Sequence, residues 1–148
     1  MTGQLAVFYE HEQQGKPILV GSGAEVDALL DQVRDKFQEE GPVLLEVSIV
    51  GAEFGSSHML AGVDGERGVL FYSGGGHGSF WSRVEGASES GVVTYYYMGN
   101  NHDFPVSAEV PLDTVKQALR EYLASDGKRP VCVEWEPYDP WSLPDVEE

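Results

Sequence analysis

The stretch Val43–Val50 reads VLLEVSIV, a mostly apolar run that follows Gly41-Pro42 and precedes Gly51. Glycine and proline punctuate regular structure, so these neighbours predict that the run begins and ends between two turns. A short apolar run of this kind is typical of a β-strand. Because so few of its side chains are polar, we expect the strand to lie centrally in a sheet.

Further apolar runs lie on both sides of this strand and are separated by turn-forming residues. Asp64–Gly68 has the composition of a hairpin turn between two of them. Strands joined by short turns pair in antiparallel fashion, so the order predicts an antiparallel meander. The expected strands are Leu5–Tyr9, Val43–Val50, His58–Val63, Val69–Tyr72, Ser79–Arg83, Val92–Met98 and Val131–Trp135, with a short extended segment at Pro17–Val20 and a polar loop at Gly99–Pro105.

Two other segments have the apolar spacing of helices. Ser22 is followed three residues later by Glu25, the pattern of a capping box, and the spacing beyond it predicts a helix from about Ala24 to Glu39. A second helix is expected to begin near Leu112 and to end before Gly127. Each helix has one apolar face, which it must bury.

Together these elements predict an α+β fold, with a mainly antiparallel sheet of about six strands and two helices packed on one of its faces. The length of 148 residues suits one domain. We expect residues 1–136 to form that domain and residues 137–148 to form an acidic, irregular tail.

Charge is the most informative bulk property of the chain. It has 25 acidic and nine basic residues, a formal net charge of −16. Such a field repels phosphate backbones and anionic lipids, so nucleic acid and membranes are not expected partners. A basic protein is an expected partner, because opposite fields speed encounter. The alternative is that the charge only confers solubility.

The distribution of charge sharpens this expectation. Between Val84 and Val115 there are five acidic residues and no basic one, and between Pro130 and Glu148 there are six acidic residues and no basic one.

Cys132 is the single cysteine, so no disulfide can form within the chain and a reducing compartment is expected. The N-terminus lacks the pattern of a signal peptide, and no run is apolar enough to span a bilayer. We therefore expect a cytoplasmic protein.

The motifs for nucleotide and phosphate binding are incomplete. Gly21-Ser22-Gly23 is half of a dinucleotide fingerprint, but Val26 stands where the third small residue belongs. The glycine run Gly74–Gly78 lacks the lysine and the hydroxyl residue of a P-loop. An N-cap loop and a hairpin loop are the simpler interpretations of these two segments.

The histidines are scattered, at His11, His58, His77 and His102, and no pair of them has the spacing of a metal site. His102 with Asp103 could supply two ligands of a larger set. Cys132 lies in an apolar run and is interpreted as a core residue. We therefore predict no metal, no cofactor and no enzymatic activity. The alternative is a small hydrolase or ligand-binding domain that uses the tyrosine strand with His77 or His102.

Aromatic residues are the best candidates for contacts with a partner. Tyr95-Tyr96-Tyr97 places rings alternately on opposite faces of one strand, and Phe80-Trp81 does the same. Tyrosine and tryptophan are favoured at interfaces, although the rings could equally fill the two sheet faces. The candidate partner-binding residues are His77, Phe80, Trp81, Tyr95, Tyr97, Asn100, Asn101, His102, Asp103, Glu136, Tyr138, Asp139 and Trp141.

Several segments, in their order along the chain, resemble the first-numbered family of immunity proteins (Imm1-like) of bacterial polymorphic toxin systems. The resemblance covers roughly residues 5–136 and leaves out the tail. The matching segments are Glu25–Leu30, Leu60–Asp64, Gly68–Leu70, Trp81-Ser82, Val93–Gly99, Phe104-Pro105, Val110–Leu112, Arg120–Leu123 and Arg129–Trp135.

The resemblance implies an inhibitor that binds a cognate toxin made by the same cell. Several family members are paired with nucleic-acid deaminase toxins, which are zinc enzymes that must accept a polyanion. The substrate surface of such a toxin is expected to be basic, so a partner at −16 is suited to cover it. Two mechanisms stay open: a loop that plugs the active site, and distributed carboxylates that mimic nucleic acid.

Overall fold

A computed structural model describes residues 4–9, 16–39, 41–51, 57–74, 78–84, 91–97, 100–125 and 127–137. These residues form eleven strands and two helices, with a single 3-10 turn at Val106–Ala108. The bounds are β1 Leu5–Phe8, β2 Ile18–Val20, α1 Gly23–Lys36, β3 Val43–Ile49, β4 His58–Val63, β5 Arg67–Gly68, β6 Leu70–Gly74, β7 Gly78–Arg83, β8 Val92–Tyr97, β9 Asn100–Pro105, β10 Val110–Pro111, α2 Leu112–Ala124 and β11 Glu134–Pro137.

The main sheet of the described residues has nine strands, in the order β11-β7-β6-β4-β3-β1-β2 with the β8–β9 hairpin attached to β3. All pairings are antiparallel except the one between β3 and β8, where Val43 pairs with Tyr96. The predicted α+β class and the central position of β3 are confirmed. The predicted number of strands, about six, is too low, because the short strand β2 and the polar strand β9 also join the sheet.

Both helices pack on one face of the sheet, as predicted. The capping box of α1 is formed, with Glu25 N–H donating to Ser22 Oγ (3.2 Å) and Gly21 N–H donating to Glu25 Oε1 (3.1 Å). The apolar faces of the helices and one face of the sheet bury a common cluster, the helix-side core. Its members include Leu5, Val7, Leu30, Val33, Leu45, Val47, Met59, Leu70, Tyr72, Leu112, Leu119 and Tyr122. Neither described helix has the length and apolarity to span a membrane.

The opposite face of the sheet buries a smaller cluster, the hairpin-side core. It consists of Leu44, Val69, Trp81, Tyr95, Phe104 and Ala108. The Trp81 and Phe104 ring centroids lie 6.2 Å apart, and those of Tyr95 and Phe104 lie 5.9 Å apart in an edge contact. The β8–β9 hairpin therefore covers part of this face, while the helices cover the other face.

The predicted loop at Gly99–Pro105 is wrong, because residues 100–105 form strand β9 and pair with β8 over its whole length. The polar composition of the segment concealed its alternation. Phe104 turns into the hairpin-side core, whereas Asn101 and Asp103 lie on the outer side of the hairpin. Strand preference depends on such packing more than on intrinsic propensity.

The last strand and the path of the meander also differ from the prediction. Residues 131–133 bend, with Val131 89% exposed, and β11 begins only at Glu134, which pairs with Arg83. The chain must first cross from the end of α2 to the sheet edge, and the Trp135 indole N–H donates to Pro130 O (2.8 Å) along this crossing. The meander holds from β3 through β7, after which β8 pairs with β3 instead of β7.

Candidate partner-binding face

The strand register aligns six side chains across the sheet on the face opposite the helices. Residues directly opposite each other in antiparallel strands share a face, with Cβ atoms about 5 Å apart. Successive pairings join one residue from each of β1, β3, β4, β6, β7 and β11 into a continuous line. This cross-strand row consists of Phe8, Glu46, Leu60, Phe71, Trp81 and Glu136.

The middle of the row is apolar and partly open to solvent. Leu60 and Phe71 pack against the hairpin-side core on one side and are only partly buried. Beside them, the exposed His58 places its ring 6.4 Å from the Phe71 ring, in a tilted contact. Trp81 is only 1% exposed, so it supports this surface from below.

A carboxylate lies at each end of this apolar part. Glu46 accepts a hydrogen bond from the Tyr97 hydroxyl (3.1 Å) at its Oε1. Glu136 accepts one from the Trp81 indole N–H (3.4 Å) and forms an ion pair with Arg83 (3.2 Å). Four strand spacings of about 4.8 Å separate β3 from β11, so the backbones at Glu46 and Glu136 lie about 19 Å apart.

The turn end of the β8–β9 hairpin lies over Glu46. Burial, followed by the nearby charge of Glu46 and its hydrogen bond, raises the pKa of Tyr97 to about 12. The Tyr97 ring also meets the His102 ring edge-on, with centroids 6.3 Å apart. On the outer side of the hairpin, Thr94 Oγ1 donates to Asp103 Oδ1 (2.7 Å), and Tyr96 is 44% exposed.

Tyr95 is completely buried and belongs to the scaffold of the face. Its hydroxyl donates to Glu109 Oε2 (3.0 Å), and Glu109 lies 4.0 Å from Arg67. Burial, together with the charge of Glu109, raises the pKa of Tyr95 far above its usual range. With Trp81, this residue therefore holds the hairpin on the sheet, out of direct reach of a partner.

The structure brings together only some of the residues predicted for partner binding. Trp81, Tyr97, His102 and Glu136 gather on the hairpin side of the sheet, with Tyr95 beneath them. Asn101 and Asp103 lie on the outer side of the hairpin, and the Asn100 backbone pairs with Tyr97. His77, Tyr138, Asp139 and Trp141 lie outside the described residues.

Phe80 lies apart from this group, on the helix side of the sheet. Its ring packs against the helix-side core, and the Arg129 guanidinium lies 4.5 Å from its centroid. It pairs with Pro137, the last residue of β11.

Sequence reasoning did not select the apolar part of the face. Phe8, Glu46, Leu60, Phe71 and His58 were not among the predicted site residues, although Glu46 stood out as a charge within an apolar strand. A charged residue in a central strand is rarely buried without a partner, so Glu46 indicated a hydrogen-bond donor nearby. That donor is the Tyr97 hydroxyl.

Basic side chains of the helix layer are occupied by acids of the same layer. Arg120 donates to both carboxylate oxygens of Asp27 (2.7 Å each). Lys116 lies 2.7 Å from Asp31, and its hydrogen bond lowers the pKa of that carboxyl below its usual value. These two cations of α2 are therefore compensated by acids of α1.

Within the described residues, no group of three or more histidine, cysteine, aspartate or glutamate side chains could hold a metal ion. An open pocket of about 430 Å³ lies at the end of α2, away from the cross-strand row, and no histidine lines it. Its lining residues are Glu121, Ala124, Ser125, Lys128, Arg129, Pro130 and Val131.

The described residues form a small α+β protein with a partly exposed apolar face that is flanked by two carboxylates. A family model described as immunity protein Imm1 matches residues 14–137. The match spans well over half of the chain, so the chain belongs to the Imm1 family of immunity proteins. A comparison with curated proteins gave no match. Family membership implies an immunity protein that binds a cognate toxin.

Proposed function

We propose that this immunity protein inhibits a bacterial nucleic-acid deaminase by lying across the opening through which the toxin takes its substrate. A deaminase must admit a polyanion to its zinc centre, so that opening is lined by basic side chains. The observation that carries the proposal is the net charge of −16 on a member of a toxin-binding family. Inhibition needs no chemistry by the immunity protein, which acts in the cytoplasm of the cell that makes the toxin.

The composition of the cross-strand row favours a cover with apolar contacts over mimicry of nucleic acid. The described residues contain 14 acidic and nine basic side chains, so they carry five of the 16 net negative charges. The other 11 acidic residues, and no basic ones, lie in the remaining segments, four of them at positions 138–148. Mimicry would require many regularly spaced carboxylates on one folded surface, whereas the cross-strand row has two, with apolar side chains between them.

In this proposal the net negative charge attracts the toxin and the cross-strand row holds it. Opposite charges raise the association rate at long range, and this effect is screened by salt. Buried apolar and aromatic contacts at the centre of an interface set the dissociation rate and most of the affinity. The two roles are therefore separable by kinetics.

Purification of the chain with the toxin encoded beside it tests the proposal. We expect a stable complex on size-exclusion chromatography and complete loss of deamination of an oligonucleotide at one equivalent of immunity protein. Undiminished deamination at a large excess of immunity protein would overturn the proposal. Inhibition of a toxin that cleaves nucleic acid without deaminating it would overturn only the toxin class.

Salt dependence separates the two mechanisms. A nucleic-acid mimic that matched six to ten phosphate positions would lose roughly 10³-fold or more in affinity between 50 and 200 mM salt. An apolar cover is expected to lose far less, with most of the loss in the association rate. A steep loss that appears mainly in the dissociation rate would favour mimicry instead.

A further inference from the structure

We propose that the toxin docks on the apolar middle of the cross-strand row, formed by Leu60 and Phe71 with His58 beside them. The partner surface that fits is an apolar projection between two basic groups. One group would meet Glu46 and the other Glu136. This inference rests on the proposed function and adds to it the surface of this chain that makes the contact.

The first support is that, among the described residues, neither helix lies over this part of the sheet. The helices bury the opposite face, and the hairpin-side core holds the region of Trp81, Tyr95 and Phe104. Leu60 and Phe71 lie at the margin of that core, where they stay partly exposed. Partly exposed apolar side chains on a rigid sheet can bury their remaining surface against a partner with little loss of conformational entropy.

The second support is charge. The carboxylates that flank the apolar side chains are both held in place, Glu46 by the Tyr97 hydroxyl (3.1 Å) and Glu136 by the Trp81 indole (3.4 Å). Arg83 compensates Glu136 in part, but its own side chain is 53% exposed and can turn away when a partner binds. A basic partner therefore meets two fixed negative groups whose backbones lie about 19 Å apart, estimated from four strand spacings.

The competing apolar patch is on the other side of the molecule. Val131 is 89% exposed and lines the open pocket at the end of α2. Lys128 and Arg129 line the same pocket, and their charge opposes a basic partner. This patch is a matched control, because it offers an exposed apolar side chain in a setting of the opposite charge.

Binding of full-length variants to catalytically inactive toxin tests the inference. Leu60→Arg places a cation and extra bulk in the centre of the face, and we expect its Kd to rise by roughly 30-fold or more. His58→Arg changes an exposed side chain at the margin, and a rise of roughly tenfold is expected. Glu136→Lys is expected to lower the association rate and to reduce its dependence on salt. Val131→Arg and Asp113→Lys, on the helix side, are expected to leave the Kd unchanged.

Thermal unfolding of each variant shows whether the fold is intact. If Leu60→Arg unfolds the protein, His58→Arg decides, since its side chain is exposed in the native fold. Wild-type affinity in a folded Leu60→Arg or His58→Arg variant would overturn this docking surface and leave the proposed function in place. Failure of the wild-type chain to bind the toxin would instead remove the proposed function, and with it this inference.

Discussion

The hydroxyl of Tyr97 donates a hydrogen bond of 3.1 Å to Oε1 of Glu46, and this contact fastens the turn end of the β8–β9 hairpin to the central strand. The two residues are 51 positions apart in the chain. A carboxylate in a central strand needs a hydrogen-bond donor, and the Tyr97 hydroxyl supplies one to Glu46. Glu46 stays partly exposed at one end of the proposed docking surface.

Replacing Tyr97 by phenylalanine removes this donor while keeping the ring. We expect the free energy of unfolding to fall by about 1–2 kcal/mol, the usual cost of a lost hydrogen bond to a partly buried charged group. Urea denaturation measures it. Tyr96→Phe is the control, because Tyr96 is 44% exposed on the outer side of the hairpin, and it is expected to change stability little.

Ionisation of Tyr97 makes the stability of the fold depend on pH. Tyr97 has a raised pKa of about 12 against an ordinary value of 10.0, so the folded state favours the protonated hydroxyl. Its contribution to stability is therefore complete below pH 10 and is lost as the pH rises towards 12. Stability measured between pH 9 and 11.5 should fall less steeply in Tyr97→Phe than in the wild type. Parallel pH curves for the two proteins would contradict this assignment.

Gly62 marks a close approach between the sheet and the hairpin. A Cβ atom at this position would lie 2.6 Å from Val69 Cγ2 and 2.8 Å from the Tyr95 ring, both of which are buried. Gly62→Ala is expected to destabilise the fold by about 1–3 kcal/mol, as overpacked cores do. Gly21→Ala is the control, since the nearest atom would lie 3.6 Å away. Equal stability of the two variants would show that the hairpin can shift at no cost.

Cys132 should react slowly in the native protein. Burial, followed by the charge of Glu121, raises the pKa of its thiol from 9.0 to about 11. At pH 8 the thiolate fraction, and with it the alkylation rate, is therefore roughly 100-fold lower than in the unfolded chain. Iodoacetamide labelling followed by mass spectrometry, with and without urea, measures the ratio. We expect Glu121→Gln to speed native labelling, and no change would remove Glu121 as a cause.

Replacing two histidines tests protein binding against the alternative of a small hydrolase or ligand-binding domain. In a binding mechanism neither His77 nor His102 transfers a proton. The double variant His77→Ala with His102→Ala is therefore expected to inhibit the toxin at full stoichiometry, with at most a modest loss of affinity from the edge contact of His102 with Tyr97. Protection of cells that express the toxin measures this. Complete loss of protection by a folded, toxin-binding variant would favour the alternative.

Local signals were enough to place most elements of this fold. The capping box of Ser22 and Glu25 and the turn at Asp64–Gly68 depend on residues a few positions apart, so their sequence patterns translate directly into structure. The cross-strand row could not be predicted in this way, because it joins Phe8 to Glu136 through five strand registers. The alternation of β9 could not be recognised from sequence either, because one of its inward side chains, His102, is polar while another, Phe104, is apolar.

Removing the acidic tail tests whether it attracts the toxin by charge or contacts it directly. Ending the chain after Pro137 removes four acidic residues and no basic one, together with Tyr138 and Trp141. If the tail acts through charge alone, the association rate falls at low salt, the dissociation rate stays the same, and the difference between the two proteins vanishes at high salt because the field is screened. Surface plasmon resonance at several salt concentrations measures both rates. A tail variant with Tyr138 and Trp141 replaced by serine keeps all the acids and is the matched control. A faster dissociation rate in that variant would mean that the rings of the tail contact the toxin, and the docking surface would then extend beyond the sheet.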